Sequence, residues 1–286
     1  MVHKKLYKYL DQSDNSDYEI YLQTAKLLAC QKKIDKLCND DELQFQIVHQ
    51  CEELLLKLIT YTLINIVKHM EQKNTHRIIT LFKRVHRTQH MLLDLFSLLE
   101  TMSPKEYQQI RLALGNGSGQ GSPGFRGLIH IIEPLWNEYQ TQYLQKDNLS
   151  IQMIYNSSYQ HDDAYVIAEA LLEFDALYRR FYKHHFDLIE RTIGGKAKSL
   201  KGHDVERLKN RSDAKLFPEL WEIRNQMTDE WGQVYGSVRK SILEPANDSV
   251  IPEFSESEKL KPAVNQSQNE TPTCPFGFSQ KSKEDK

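Results

Sequence analysis

The sequence predicts an all-α protein, a single domain of long helices followed by a polar tail. Apolar residues recur three to four positions apart over most of the chain, which is the period of an amphipathic helix. Sustained alternation of apolar and polar residues between turn signals, the pattern of a half-buried strand, is absent from the sequence. Of the 286 residues, 40% are apolar, which is enough for a sizeable core. We expect the helical domain to span residues 1–243.

The first predicted helix covers residues 18–36. Its buried face would carry Tyr21, Leu22, Ala25, Leu28 and Ala29. The next helix covers residues 42–70, with Asp40 or Asp41 as its N-cap. An apolar stripe predicts a third helix over residues 76–101. Ser103 and Pro104 then supply an N-cap and a proline at the first helical position, which begins a helix with Tyr107 and Arg111.

The second half of the chain continues the helical pattern after a loop rich in glycine and serine, residues 115–124. A helix over residues 125–144 is expected to be kinked or broken near Pro134. Long helices are predicted over residues 164–193 and 216–242. Residues 244–286 are mostly Pro, Ser, Asn, Gln, Lys and Glu, the composition of a disordered tail.

Composition excludes several classes of function. A net charge of −2 gives no reason to expect binding to nucleic acid or to acidic membranes, which favour basic surfaces. The four cysteines lack metal-site spacing and are typical of a reducing compartment. The N-terminus has no apolar run of the signal-peptide type, and residues 54–67 are too short to span a bilayer of roughly 30 Å. We expect a cytoplasmic protein that binds neither membrane nor nucleic acid.

A histidine within the second helix is the first candidate for chemistry. Phe45 lies one turn before His49 and Glu53 one turn after it, so the imidazole is part of a wall with an aromatic ring and a carboxylate beside it. On its own, this pattern is more typical of a core histidine with a satisfied hydrogen bond.

A second candidate site combines a glycine-rich loop with an arginine that precedes it. Residues 119–124 match the GxGxxG pattern of dinucleotide sites, but the preceding element is helical and not a strand, which excludes that interpretation. The loop is either a flexible connector or a backbone that approaches a flat ligand, with Ser118 offering a hydroxyl. Arg111 would then direct its guanidinium toward the same space, and this planar cation can donate two parallel hydrogen bonds to a carboxylate.

Two adjacent histidines form the third candidate. On a helix their side chains diverge by about 100°, so His184 and His185 cannot both face one pocket. His185 has Phe181 and Ile189 on the adjacent turns, an apolar face appropriate for an axial ligand of a porphyrin. His184 aligns with Arg180 and Leu188 and is expected at the edge of that face.

These segments together resemble the tryptophan 2,3-dioxygenase family of haem enzymes, and the similarity covers about residues 15–242. One departure lies in the second helix, where Leu55 replaces the family's tryptophan. The matching residues are Tyr18-Glu-Ile-Tyr21-Leu; Asp41-Glu42-Leu43, Phe45, His49-Gln50, Glu53-Leu54 and Lys57; Leu99-Glu-Thr-Met102-Ser-Pro104, Tyr107, Arg111 and Phe125-Arg126; and Phe217-Pro-Glu-Leu-Trp221-Glu-Ile-Arg224.

The resemblance implies a haem-dependent oxygenase that inserts oxygen from dioxygen into an indole or a similar small aromatic substrate. It implies haem b with His185 as the axial iron ligand, and His49 as the catalytic group on the opposite side. Further roles follow by position: Phe45 walls the aromatic pocket, Tyr107 and Arg111 bind the substrate and its carboxylate, and Ser118 faces the haem edge. Tyr18 and Tyr21 match residues that reach the pocket from a neighbouring subunit, which implies a homotetramer, a dimer of dimers.

One departure from the family affects the expected substrate. The family has a Gly-Thr-Gly-Gly-Ser-Ser-Gly loop that closes over the bound amino acid, and this chain has lysines at Lys196, Lys198 and Lys201 around Ser199. Ser199 retains a hydroxyl for substrate binding, but the closing glycines are mostly lost. The substrate is therefore expected to be a modified indole or another aromatic ring instead of free L-tryptophan. The alternative is a haem-binding sensor of the same fold without oxygenase turnover.

Overall fold

The computed structural model describes residues 5–10, 12–115, 117, 119–156, 162–196, 198, 212–232, 241–243 and 245. This part of the chain is built of helices, which confirms the all-α prediction. The α-helices are α1 (Asp17–Leu22), α2 (Thr24–Leu28), α3 (Glu42–Glu71), α4 (Thr75–Leu99), α5 (Pro104–Ala113), α6 (Pro123–Tyr139), α7 (Ile151–Tyr155), α8 (Asp163–Ile193) and α9 (Pro218–Gly232). Shorter 3₁₀ turns occupy Tyr7–Tyr9, Ile34–Lys36 and Gly119–Gly121, and a π-helical segment covers Gln140–Gln145.

Three long helices enclose the core. α3 packs along α4 on one side and α6 on another, while α8 packs along the opposite side of α4. Each helix contributes an apolar stripe, and the stripes interlock to exclude water. The most deeply buried side chains are Leu63, Ile66, Ile78, Val85, Leu135, Tyr139, Ile167, Leu171 and Phe174. Among the described helices, none combines the length and the apolar character needed to cross a bilayer.

Side-chain caps fix where the helices begin. Ser103 accepts a hydrogen bond from the Glu106 amide at 3.3 Å, with Pro104 at the first helical position, as the sequence predicts. Ser122 and Asp162 accept in the same way at the starts of α6 and α8. Asp41 is the N-cap of α3, although its side chain makes no capping hydrogen bond. These caps satisfy amides that have no partner within the helix.

The single helix predicted over residues 18–36 is wrong. Gln23 has φ 56°, in the left-handed region, and ends α1 after only six residues; α2 is shorter still. The predicted buried face is exposed instead: Tyr21 is 87% accessible, and Leu22 and Leu28 are also exposed. The amphipathic pattern is real, but no described part of this chain covers its apolar side.

The other boundaries differ less from prediction. α6 begins at Pro123 and continues unbroken through Pro134 to Tyr139, so the helix is not broken at that proline. The wider π-helical turn follows immediately. α9 is described to Gly232; residues 233–240 and almost all of the predicted tail lie outside the described residues.

The segment before α9 is tied to α8 by one buried carboxylate. Asp175 is fully buried on α8, and its Oδ2 accepts from the amides of Leu216 and Phe217 at 2.9 and 3.2 Å. The same oxygen accepts from Trp221 Nε1 at 2.8 Å. Burial raises the pKa of Asp175, and these hydrogen bonds and Arg179 act against that effect. Asp175 therefore joins the start of α9 and the segment before it to the helix that carries His185.

Candidate active site

One wall of the candidate site is the N-terminal half of α3. The ring centroids of Phe45 and His49, one turn apart, are separated by 4.0 Å. His49 Nδ1 is 2.7 Å from the Phe45 carbonyl oxygen. Because a carbonyl only accepts, Nδ1 carries the proton, and Nε2 keeps its lone pair for another group.

The environment of His49 favours the neutral form of its imidazole near pH 7. Burial lowers its pKa, while the hydrogen bond to Phe45 and the nearby Glu53 raise it by less. An imidazole that is neutral, held in one tautomer and half-buried can accept a proton or a hydrogen bond from a bound molecule.

His185 lies across the interior on α8. Its ring stacks on Phe96 with centroids 6.1 Å apart and lies 6.2 Å from the Phe181 ring. Burial, with a smaller effect of His49, lowers the pKa of His185 to about 4. Within the described part of the chain, the His185 ring nitrogens make no hydrogen bond.

His185 is half-buried, so its ring reaches accessible space on a face that is otherwise aromatic. A neutral imidazole is also the form that binds a transition metal. Aromatic neighbours and a nitrogen without a partner are what a flat, apolar cofactor with a central iron requires, so these residues fit haem.

His184 is placed at the edge of this site. Its Nε2 lies 2.9 Å from Glu100 Oε1, and its ring centroid is 4.7 Å from that of Phe96. The divergence of adjacent residues on α8 thus separates His184, in contact with Glu100, from His185, which has no hydrogen-bond partner among the described residues.

Tyr107 and Arg111 on α5 line the rim beside Phe45. The Tyr107 and Phe45 rings have centroids 6.3 Å apart, and burial raises the pKa of Tyr107. The Arg111 guanidinium donates to the backbone carbonyl of Lys198 and, at 3.4 Å, to Gln108 Oε1. Arginine has five donors, so it retains capacity for a carboxylate next to Tyr107.

The start of α6 closes on α3 through a glycine. Glu53 Oε2 accepts from the Gly124 amide at 2.9 Å. A Cβ at Gly124 would lie 2.8 Å from that carboxylate oxygen and 2.8 Å from Leu56 Cβ. The glycine of the loop is therefore needed for contact between two helices, a role that the sequence pattern does not reveal.

The structure brings Phe45, His49 and Tyr107 together, with Arg111 one turn after Tyr107 on α5, and it places His185 on α8 beside Phe96 and Phe181. Tyr18 and Tyr21 are exposed, at 68% and 87% accessibility, and are not part of the pocket formed by this chain. Ser118 and Ser199 lie outside the described residues. The sequence interpretation missed Phe96, which stacks on His185, and Glu52, which helical spacing from Phe45 and His49 could have indicated.

Comparisons with known proteins identify relatives of this chain. A family model described as tryptophan 2,3-dioxygenase matches residues 5–150. The tryptophan 2,3-dioxygenase of Myxococcus xanthus is 25% identical over 267 residues, covering 76% of this chain and 92% of the relative. Those of Geobacillus thermodenitrificans and Bacillus thuringiensis are 25% and 24% identical, covering 76% of this chain and 94% and 95% of the relatives.

Proposed function

Because this chain belongs to the tryptophan 2,3-dioxygenase family of haem-dependent dioxygenases, we propose that it is a haem-dependent oxygenase that inserts oxygen from dioxygen into an aromatic, tryptophan-like substrate. The observation that carries the proposal is His185, whose imidazole lies against Phe96 and Phe181 and makes no hydrogen bond within the described part of the chain. In the proposed oxygenase this imidazole is the metal ligand, and His49, whose Nδ1 is engaged with the Phe45 carbonyl, is the base on the substrate side.

His185 would hold haem b by binding its iron. When bound, the haem supplies the activation of dioxygen, chemistry that no amino-acid side chain provides. Phe96 and Phe181 orient the His185 ring and keep water from it. The lowered pKa of His185 keeps its imidazole neutral, as a ligand must be.

On the other side, three groups would position the substrate. His49 Nε2 accepts the ring N–H or O–H, while Phe45 packs against the aromatic plane. Arg111 binds the carboxylate at the rim, with Tyr107 beside it. Anchoring the substrate at both ends turns binding energy into placement of the reacting carbon, where small displacements are costly in rate.

Replacing His49 with alanine should lower turnover by at least about tenfold, within the range of lost acid–base assistance, while the protein retains haem. The acid limb of the wild-type kcat/KM profile should lie below pH 6.5, because burial lowers the His49 pKa, and the variant should lack that limb. His76→Ala, at an exposed position of α4, is the control and should match wild type. Loss of haem in His49→Ala would instead identify His49 as the iron ligand.

Arg111→Lys should weaken binding of carboxylate-bearing ligands by about 1.5–3 kcal/mol, the range of a charge-assisted hydrogen bond. Lysine keeps the charge but loses the planar fork. Binding would be measured from the change that a ligand causes in haem absorption. Analogues without a carboxylate should be unaffected, and an equal loss for both classes would assign Arg111 to support of the fold.

We also propose that the protein is a homotetramer, a dimer of dimers. The exposed tyrosines of α1 support this, and so does a second exposed apolar stripe along the outer side of α3. The members of the α3 stripe are Leu54, Leu58, Tyr61 and Ile64. Contiguous apolar surface of this kind is typical of subunit contacts.

The expected mass in sedimentation is four times that of the chain. Leu58→Glu combined with Tyr61→Glu should reduce it, because the substitutions place charges in an apolar contact. Met91→Glu, at an exposed apolar position on α4, should not. A wild-type protein that sediments as a monomer would overturn the tetramer.

A second candidate function is haem sensing without turnover. It is favoured by the donation from Arg111 to the Lys198 carbonyl, since that contact places the segment after α8 on the group that would bind the substrate carboxylate. A sensor would bind haem and consume no dioxygen with any aromatic compound.

Titration of the purified protein with haem tests the proposed function. A Soret band that saturates at one haem per chain is the expected result, and its position should change when an aromatic carboxylate is added. A chain that binds no haem would exclude both the oxygenase and the sensor.

A further inference from the structure

Glu52 is an acidic residue on the buried side of α3. It lies two turns after Phe45 and one turn after His49, which places it on the same stripe. Val48, four residues before it, and Leu56, four after it, are 2% and 1% accessible. Glu52 itself is only half-buried, so its side chain is placed among core residues and still meets open space.

That carboxyl has no hydrogen-bond partner among the described residues. Its neighbour Glu53, in contrast, accepts from the Gly124 amide. Burial, with repulsion from Glu53, raises the pKa of Glu52 to about 7. A carboxyl group in an apolar wall without a hydrogen-bond partner lowers the stability of the folded protein. The packing of the fold therefore gives no reason for a glutamate at this position.

The residues on either side show which space Glu52 faces. His49, one turn earlier, packs its ring against Phe45 in the wall of the candidate site. Leu56, one turn later, lines a small apolar cavity together with Phe125 and with Phe181 of α8. Glu52 therefore lies between the wall of the candidate site and this cavity, roughly 4.5 Å further along the helix axis than His49.

The chemistry of a carboxyl limits what it can bind there. Haem propionates carry the same charge and are repelled, so Glu52 is unsuited to holding that cofactor. A substrate ring that offers only C–H groups would remove water from Glu52 and leave it unpaired. A ring that carries a hydroxyl or amino group would give it a hydrogen-bond donor.

We propose that Glu52 is a specificity-determining residue that selects aromatic substrates bearing a hydroxyl or amino group on the ring. The proposal rests on the proposed function and names its substrate class, which is hydroxy- or amino-substituted aromatic carboxylates. Within this class, substituted indoles have the same ring system as tryptophan. His49 engages the ring N–H, and Glu52 accepts from the second donor deeper in the pocket.

Binding to the haem-loaded protein tests this, with dissociation constants taken from ligand-induced changes in haem absorption. The probes are indole carboxylates that carry hydroxyl, amino or methyl groups at each ring position in turn. At the position that faces Glu52, wild type should bind the hydroxyl or amino compound at least about tenfold more tightly than the methyl compound.

Glu52→Leu should abolish that preference, and the nearly isosteric Glu52→Gln should reduce it to about threefold, since a neutral acceptor is about half as strong. Glu71→Gln, the same change at the exposed end of α3, should leave it unchanged. Wild type that binds haem and ligands without preferring a donor at any position would overturn the proposal. A preference that persists in Glu52→Leu would also overturn it. If Glu52→Leu fails to fold, a preference that keeps its full wild-type size in Glu52→Gln would do the same. Wild type that takes up no haem would overturn the proposed function itself.

Discussion

Replacing His185 with alanine should abolish haem retention. The substitution removes an imidazole that burial keeps neutral, with a pKa of about 4. Phe96 and Phe181, the remaining neighbours, offer no atom that binds iron. The measurement is the Soret absorbance per chain after haem loading and desalting, with circular dichroism to show that the helices remain.

The adjacent histidine provides the matched control. His184 makes its contact with Glu100, so His184→Ala should retain haem at the wild-type level. The opposite outcome, haem lost in His184→Ala and kept in His185→Ala, would show that the wrong face of α8 has been assigned to the cofactor.

Replacing Asp175 with alanine should destabilise the protein by about 3–5 kcal/mol, because it leaves buried donors without an acceptor. One oxygen of Asp175 accepts three hydrogen bonds, two from backbone amides and one from Trp221. A loss of this size is a large fraction of the stability of a typical domain, about 5–15 kcal/mol. Urea denaturation followed by circular dichroism would measure it.

Two further variants separate hydrogen bonding from charge. Asp175→Asn keeps an acceptor oxygen for all three donors and should cost less than half as much. Asp187→Ala, an exposed aspartate of the same helix, should change stability by no more than about 0.5 kcal/mol. If Asp175→Asn were as damaging as Asp175→Ala, the carboxylate charge and not its acceptor geometry would be the stabilising feature.

The long helices could be predicted because their apolar stripes meet partners within the same chain. The spacing of apolar residues in α3, α4 and α8 places them on the side of each helix that is buried in the core. Ser103 and Pro104 fix the start of α5. Residues 18–36 have a similar stripe, but Gln23 interrupts the helix and the apolar side remains exposed. Periodicity shows that a face is apolar, and it does not show which molecule covers it.

For the candidate site, sequence reasoning identified residues whose chemistry is visible in their type and spacing. His49, Arg111 and His185 were found in this way, partly through the family resemblance. Glu52 was missed because a lone carboxylate in a helix is usually solvated, and its unusual environment depends on Val48 and Leu56 being buried. The loop that ends at Gly124 was interpreted either as a flexible connector or as a backbone that approaches a ligand, whereas the role of Gly124 depends on the position of Glu53, 71 residues away in sequence.

Oxidation of an aromatic carboxylate by the haem-loaded protein, followed with isotopically labelled dioxygen, distinguishes an oxygenase from every alternative. Label should appear in the ring-oxidised product of a substituted indole carboxylate, in proportion to the dioxygen consumed. L-Tryptophan should react more slowly, because the lysines after α8 repel its ammonium group. A protein that shows a Soret band but transfers no label to any indole or phenol would be a haem-binding protein without turnover, and the oxygenase assignment would be wrong.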